Sequence, residues 1–284
     1  MRNFVIISNK IKPFNKELKI PGDKSLSIRS ILIASQALGN SKIYNLLESQ
    51  DVKGSLKALK KLGIKINKKK NFYEVMGNGL NGFLKKKNLT INAGNSGTLA
   101  RLIIGVLAKY QSKYKLIGDN SLSRRDFSRV TKPLQKIGVK IFSKNKNLPL
   151  DISGSKYVRP INYFENIGSA QCKSAVLFAS LNIPGTTSIK AKKSRNHTEI
   201  FFKEIGIPIK IRNKKNFDLI KINGMQNYYG FDYIIPADIS SSAFFIVLTL
   251  LSKNSNLIIK NININPGRIG FIKILNKMGA KIRF

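Results

Sequence analysis

A chain of 284 residues with 42% hydrophobic content has the apolar material to fold, while its one Cys and one His exclude an internal disulfide and a zinc site of the usual N/S type. Its length suggests two domains, because single cores stop growing near ~250–300 residues. The net charge of +37 comes from 40 Lys and only 11 Arg against 14 acidic residues, beside 40 Ile and 29 Asn; three abundant types with A/T-rich codons, and little of the forked Arg that reads phosphate and guanine, make the charge a compositional background and exclude an expected nucleic-acid partner.

In chain order, the apolar run Phe4–Ser8 is too short for a signal-peptide core. The loop Pro21-Gly22-Asp23-Lys24-Ser25 leads into a predicted buried helix, Leu26–Leu38. If the helix starts near Ser25, then Ser25 and Arg29 lie one turn apart with Lys24 at the helix mouth, a combination that holds a phosphate or carboxylate. A capping Asp23 with solvated bases is the bland alternative. The segment Leu56–Ile66 (LKALKKLGIKI) reads as a helix end, Gly63 and an alternating strand, and Lys68–Lys70 and Lys85–Lys87 read as solvated hairpin or loop residues.

A second loop, Asn92–Thr98, precedes a predicted buried helix at Leu99–Lys109 that carries Arg101. Gly94 and Gly97 allow close backbone approach to a ligand. The loop lacks the Gly-Lys-Ser/Thr ending of a Walker A motif, so ATP is not indicated. A third loop, Gly118–Arg125, opens a helix over Phe127–Ile137 that runs into Pro133–Ile141 (PLQKIGVKI). A fourth, Ser169–Ser174, opens the buried helix Ala170–Leu181, in which Cys172 reads as packing. A fifth, Ser194–Glu199, places His197 near a helix cap before Phe201–Ile211 (FFKEIGIPIKI). Finally PADISS precedes the buried helix Ser241–Leu251, and Phe271–Ile282 (FIKILNKMGAKI) closes the series. The longest apolar stretch, Ala243–Leu251, is far below the ~20 residues needed to cross a bilayer, so no membrane partner and a cytoplasmic location are expected.

The four helix–Gly–strand joints place Gly63, Gly138, Gly206 and Gly279 at intervals of 75, 68 and 73 residues, which implies a repeated α/β unit of about 70. Each Gly suits the left-handed residue that ends a helix. Each unit also has an earlier apolar helix behind a polar loop, and such helix starts present backbone N–H groups and a positive dipole end to an anion.

GDKSLSIRS, NAGNSGTLARL, GDNSLSRRDFSRVTKPL, SAQCKSA, SRNHTE and IPADISSSAFF, in this order, resemble the successive motifs of the 5-enolpyruvylshikimate-3-phosphate synthase family, the 3-phosphoshikimate 1-carboxyvinyltransferases. The resemblance runs from about residue 21 to the C-terminus and favours this branch over the UDP-N-acetylglucosamine enolpyruvyl transferases that share the fold. It implies an α/β, two-domain enolpyruvyl transferase fold of repeated βαβαββ units: a complete three-unit domain over 21–235, and residues 1–20 with 236–284 as about one unit of an incomplete second domain. It implies transfer of the enolpyruvyl group of phosphoenolpyruvate to the 5-hydroxyl of shikimate 3-phosphate with release of phosphate, by a monomer that needs no cofactor and no metal.

Carried over by residue, Lys24 resembles the catalytic lysine that acts electrostatically on both substrates. Ser25, Arg29, Ser169, Ala170, Gln171 and Arg195 match shikimate 3-phosphate contacts, and Gly97, Arg125 and Gln171 match phosphoenolpyruvate contacts; Asn95, Thr98 and Arg101 support the second loop. Gly97 is also the residue found in glyphosate-sensitive members. Two departures are evident. Asp126 stands where a proline usually follows Arg125, which puts a carboxylate beside the site. The chain also stops inside its fourth unit, so the family's acid/base residues are absent and the chain alone is expected to be inactive. The alternative is a non-catalytic anion-binding remnant or half of a split enzyme.

Overall fold

The computed structural model describes residues 11–84 and 88–284, so the Phe4–Ser8 run and the Lys85–Lys87 triplet lie outside the described residues. Strand β1 (Asn15–Leu18) comes first. Then follow α1 (Lys24–Ala34), β2 (Leu38–Tyr44), α2 (Gln50–Lys61) and the hairpin β3 (Lys65–Lys68) with β4 (Phe72–Asn78). A second set is β5 (Leu89–Asn92), α3 (Gly97–Val106), β6 (Lys113–Ile117), the short α4 (Asn120–Ser123), α5 (Ser128–Ile137), β7 (Lys140–Phe142) and β8 (Leu150–Ser153). A third is β9 (Asn162–Glu165), α6 (Ala170–Ser180), β10 (Thr186–Lys192), α7 (His197–Glu204), β11 (Ile209–Asn213) and β12 (Phe217–Asn223). The chain continues through β13 (Asp232–Ile234), α8 (Ile239–Leu251), β14 (Asn256–Ile259) and α9 (Gly270–Lys277). Contacts divide it into a unit from Gly22 to Ile235 and a smaller one from the residues up to Pro21 and from Pro236 to Phe284.

The larger unit holds three four-stranded sheets of one design, ordered β5-β6-β8-β7, β9-β10-β12-β11 and β13-β2-β4-β3. In each, a parallel pair (β5 with β6, β9 with β10, β13 with β2) is extended by an antiparallel hairpin. This is the expected βαβαββ pattern three times over, with one feature that linear reading did not reveal. The leading strand of the first set is β13, pairing Asp232–Ile234 with Lys42–Tyr44 and tying the end of the unit to its beginning.

The packing follows from helix composition. Helix α3 is apolar nearly all round, which only a core position satisfies, and α1 and α6 combine apolar residues with buried, mostly small polar ones; all three bury almost every residue, with α3 against both α1 and α6. The backbones of α3 and α6 approach so closely at Gly105 that an added Cβ would lie 2.1 Å from the Ala175 carbonyl oxygen. Helices α2 and α5 are amphipathic and bury single stripes, Val52, Ser55, Ala58 and Leu59 in one and Val130, Pro133, Leu134 and Ile137 in the other. Strands alternate, so that β10 turns Thr187, Ile189 and Ala191 inward and leaves Lys190 and Lys192 in solvent.

All four repeat glycines have positive φ, +92° at Gly63, +119° at Gly138, +79° at Gly206 and +96° at Gly279. The first three lead into strands; the fourth does not, because residues 280–284 form no strand. A strand needs a paired neighbour, and Ala280–Phe284 has none among the described residues. Other expectations need correction. The helix expected over Leu26–Leu38 ends at Ala34, since Leu38 opens β2, and the one expected over Leu99–Lys109 spans Gly97–Val106. The helix expected to be buried over Ser241–Leu251 is α8, and it is largely exposed, with Phe244 at 80% and Leu251 at 81%. Helices α1, α3 and α6 bury one another, whereas α8 has no equivalent apolar helix against it among the described residues of its own unit and lines an open cavity of about 910 Å³ with β14 and residues 281–284.

The smaller unit contains the first four elements of the repeat, β1-α8-β14-α9, with β1 and β14 parallel.

Candidate anion-binding site

Side-chain capping organises the helix starts. Asp23 accepts from the Leu26 N–H (2.9 Å), Ser96 from Leu99 (3.2 Å) and Ser169 from Cys172 (3.3 Å). The capping expected of Asp23 is therefore present; at the other two starts a serine that accepts from a helix N–H still has its own O–H to donate.

The second, third and fourth loops meet in one polar cluster. The Arg101 Nη1 donates to the Gly97 carbonyl (3.1 Å) and to Gln171 Oε1 (3.0 Å), while Gln171 Nε2 donates to Thr98 Oγ1 (3.0 Å). The guanidinium also lies over the Phe127 ring, 5.0 Å from its centroid. Burial pulls the Arg101 pKa down from an already very high value, so the group remains a cation at neutral pH and its field is less screened by water. Asn95 bridges charges of opposite sign, its Nδ2 donating to Asp119 Oδ2 (2.6 Å) and its Oδ1 accepting from Arg125 Nη2 (3.4 Å). The hydrogen bond from Asn95 is the main cause holding the Asp119 carboxyl below its ordinary value.

Gly97 sits between the two cations. A Cβ there would lie 2.7 Å from Arg101 Nη1 and 3.2 Å from Arg125 Nη1. Any side chain at 97 would therefore displace a guanidinium.

The first, fourth and fifth loops meet in a second cluster. Arg29 is 3% exposed. Its Nε donates to Thr198 Oγ1 (2.9 Å), its Nη2 to Ser174 Oγ (3.2 Å) and its Nη1 to the Ser25 carbonyl (3.1 Å). The Ser174 and Thr198 hydroxyls are 2.7 Å apart. Beside them Lys173 and Glu199 form a buried ion pair at 2.5 Å.

The remaining expected residues are more loosely placed. Lys24 is exposed and paired with Asp51 (3.0 Å), a partner the sequence reading missed although Asp51 is an acidic residue in the first turn of α2. Ser25, Ser169 and Ala170 are partly exposed at the starts of α1 and α6, and Arg195 is exposed just before α7. Asp126 directs its carboxylate to the Ser128 N–H at the start of α5 (2.5 Å), and hydrogen bonding from Ser128, its side chain first and its backbone second, holds the Asp126 pKa down. Cys172 is buried and its thiol pKa is raised, chiefly by burial. His197 is the first residue of α7 and is buried. No cluster of three or more His, Cys, Asp or Glu able to hold a metal lies among the described residues.

A three-repeat α/β unit with cations and helix starts converging in this way has counterparts among known proteins. The family model for EPSP synthase (3-phosphoshikimate 1-carboxyvinyltransferase) matches residues 8–284, and the chain belongs to that family. Similar curated proteins are the 3-phosphoshikimate 1-carboxyvinyltransferases of Streptococcus mutans, 42% identical over 268 residues, and of Streptococcus agalactiae serotype III, 39% identical over 269. These alignments take in 93% and 94% of this chain and 62% of each relative. Among solved structures, EPSP synthase from Acinetobacter baumannii superposes with a TM-score of 0.86 at 33% identity, covering 95% of this chain and 60% of the other. The chain thus spans about three fifths of the length of the relatives it matches. No helix among the described residues is long and apolar enough to cross a membrane.

Proposed function

We propose that this chain provides the shikimate 3-phosphate site and part of the phosphoenolpyruvate site of a 3-phosphoshikimate 1-carboxyvinyltransferase. That reaction joins C2 of phosphoenolpyruvate to the 5-hydroxyl of shikimate 3-phosphate and then expels phosphate. Both substrates are polyanions, and the observation that carries the reading is the convergence of Arg101, Arg125 and Gln171 around Gly97, whose missing side chain lets both guanidiniums approach. In this reading Lys24, Ser25, Arg29, Arg195 and the Ser169-Ala170-Gln171 helix start hold shikimate 3-phosphate. Lys24, Gly97, Arg125 and Gln171 face phosphoenolpyruvate.

The contribution is electrostatic. Cations held in place before substrate arrives need no reorganisation as charge develops on the transferring group. Lys24, paired with Asp51 at rest, is the mobile member, free to exchange its carboxylate for a substrate anion. The buried thiol of Cys172 suits a reducing, cytoplasmic setting.

Calorimetric titration of the protein tests the reading. Shikimate 3-phosphate is expected to bind saturably and at least about tenfold more tightly than unphosphorylated shikimate, because two or more cations meet the phosphate. Lys24→Met should erase most of that preference. Equal affinity for the two ligands would overturn the proposal.

A further inference from the structure

We infer that Thr198 and Ser174 are positioning residues: a dry pair of hydroxyls that sets the orientation of the Arg29 guanidinium and locks together the three helix starts that present anion contacts. The inference rests on the reading of Arg29 as a shikimate 3-phosphate contact. Its basis is geometric. Thr198 and Ser174 are 0% and 1% exposed and Arg29 is 3% exposed, so no bulk water competes for these hydrogen bonds. The guanidinium is held along its Nε/Nη2 edge, Nε by Thr198 at 2.9 Å and Nη2 by Ser174 at 3.2 Å, with Nη1 on the Ser25 carbonyl at 3.1 Å at a second edge, and the hydroxyls are joined to each other at 2.7 Å. A planar fork bonded along two edges has its plane determined, whereas one bond would leave it free to rotate.

The placement in the chain gives the arrangement its consequence. Arg29 lies one turn into α1 from Ser25, Ser174 one turn into α6 from Ala170, and Thr198 three residues beyond Arg195 in the first turn of α7. The three side chains meet at a point behind all three helix starts. The adjacent Lys173–Glu199 pair repeats the tie between α6 and α7 one residue along each helix. Losing the Thr198 hydroxyl would therefore loosen the aim of Arg29 without removing any group that touches the ligand.

The test is a double-mutant cycle on the full chain, read by calorimetric affinity for shikimate 3-phosphate. Thr198→Val keeps the shape and removes the acceptor; it should weaken binding about tenfold, the loss expected when a charge-assisted contact is misaligned. Thr198→Ser restores the hydroxyl and should stay within about twofold of the parent. In an Arg29→Met background, Thr198→Val should cost no more than about a further twofold, because the residue it positions is gone. A tenfold loss in that background as well, or no rescue by serine, would overturn the inference. If Arg29→Met alone leaves affinity unchanged, the underlying reading of the site fails. Should Thr198→Val not fold, Ser174→Ala enters the same cycle with the same expected outcomes.

Discussion

Gly97 shows how much can depend on a missing side chain. With two guanidinium nitrogens 2.7 and 3.2 Å from where its Cβ would stand, Gly97→Ala must push Arg101 or Arg125 aside. Both are long side chains that can move at little cost in stability. The substitution is therefore expected to leave the thermal midpoint nearly unchanged and to weaken phosphoenolpyruvate binding about tenfold, with a smaller effect on shikimate 3-phosphate, as measured by competition calorimetry. Cys172 is the contrasting case of a reactive group made inert. Burial raises its thiol pKa, so less thiolate exists at any given pH near 8 than in an exposed cysteine, and access is restricted as well. Ellman's reagent should label it slowly in the native protein and rapidly in denaturant; equal rates would show that the thiol is accessible.

Helix contacts decide whether the three-repeat unit forms. At the crossing of α3 and α6, Gly105 leaves no room for a methyl group, since its Cβ would meet backbone and not a movable side chain. Gly105→Ala should destabilise the protein by ~1–3 kcal/mol or more in urea unfolding, as overpacking does. The Lys173–Glu199 pair makes a different prediction. Both side chains are essentially unexposed, so Lys173→Met alone strands a buried carboxylate and should cost ~3–5 kcal/mol, whereas Lys173→Met with Glu199→Leu should regain most of that loss. If the double variant is no better than the single, the pair is not the dominant tie between α6 and α7. Much of this level is legible in sequence: the apolar runs that become α1, α3 and α6, and the glycines that end α2, α5, α7 and α9. The pairing of β13 with β2 is not, because strands 190 residues apart in sequence carry no local mark of their partner. The Arg29–Ser174–Thr198 meeting is hidden for the same reason, each residue being an ordinary helix position when read alone.

The charge and the apolar surface act on the whole molecule. A formal +37 concentrates anions around the protein without selecting among them, so affinity for shikimate 3-phosphate should fall as salt rises from 20 to 200 mM, values spanning Debye lengths of roughly 20 to 7 Å. The larger unit carries its own core, in which Ile28, Leu32, Ile103, Val176 and Phe178 are fully buried, and residues 22–235 expressed alone should unfold cooperatively. In the smaller unit α8 exposes Phe244, Phe245, Val247, Leu248, Leu250 and Leu251, a patch of the kind that drives association. The protein should bind the dye ANS and self-associate, and Phe244→Glu with Leu251→Lys should reduce both without altering unfolding of the larger unit.

Residue order by itself determined the repeat of about 70 residues, the apolar helices, the loops at their starts and the family these motifs mark, because each depends on residues near one another along the chain. Tertiary structure decided what depends on distant groups meeting: that β13 supplies the first repeat's missing strand and that Arg29 is aimed by hydroxyls from α6 and α7. It also decided the fate of α8. A run of thirteen mostly apolar residues encodes a helix that ought to be covered, but whether it is covered depends on what packs against it, and that information is not in the run.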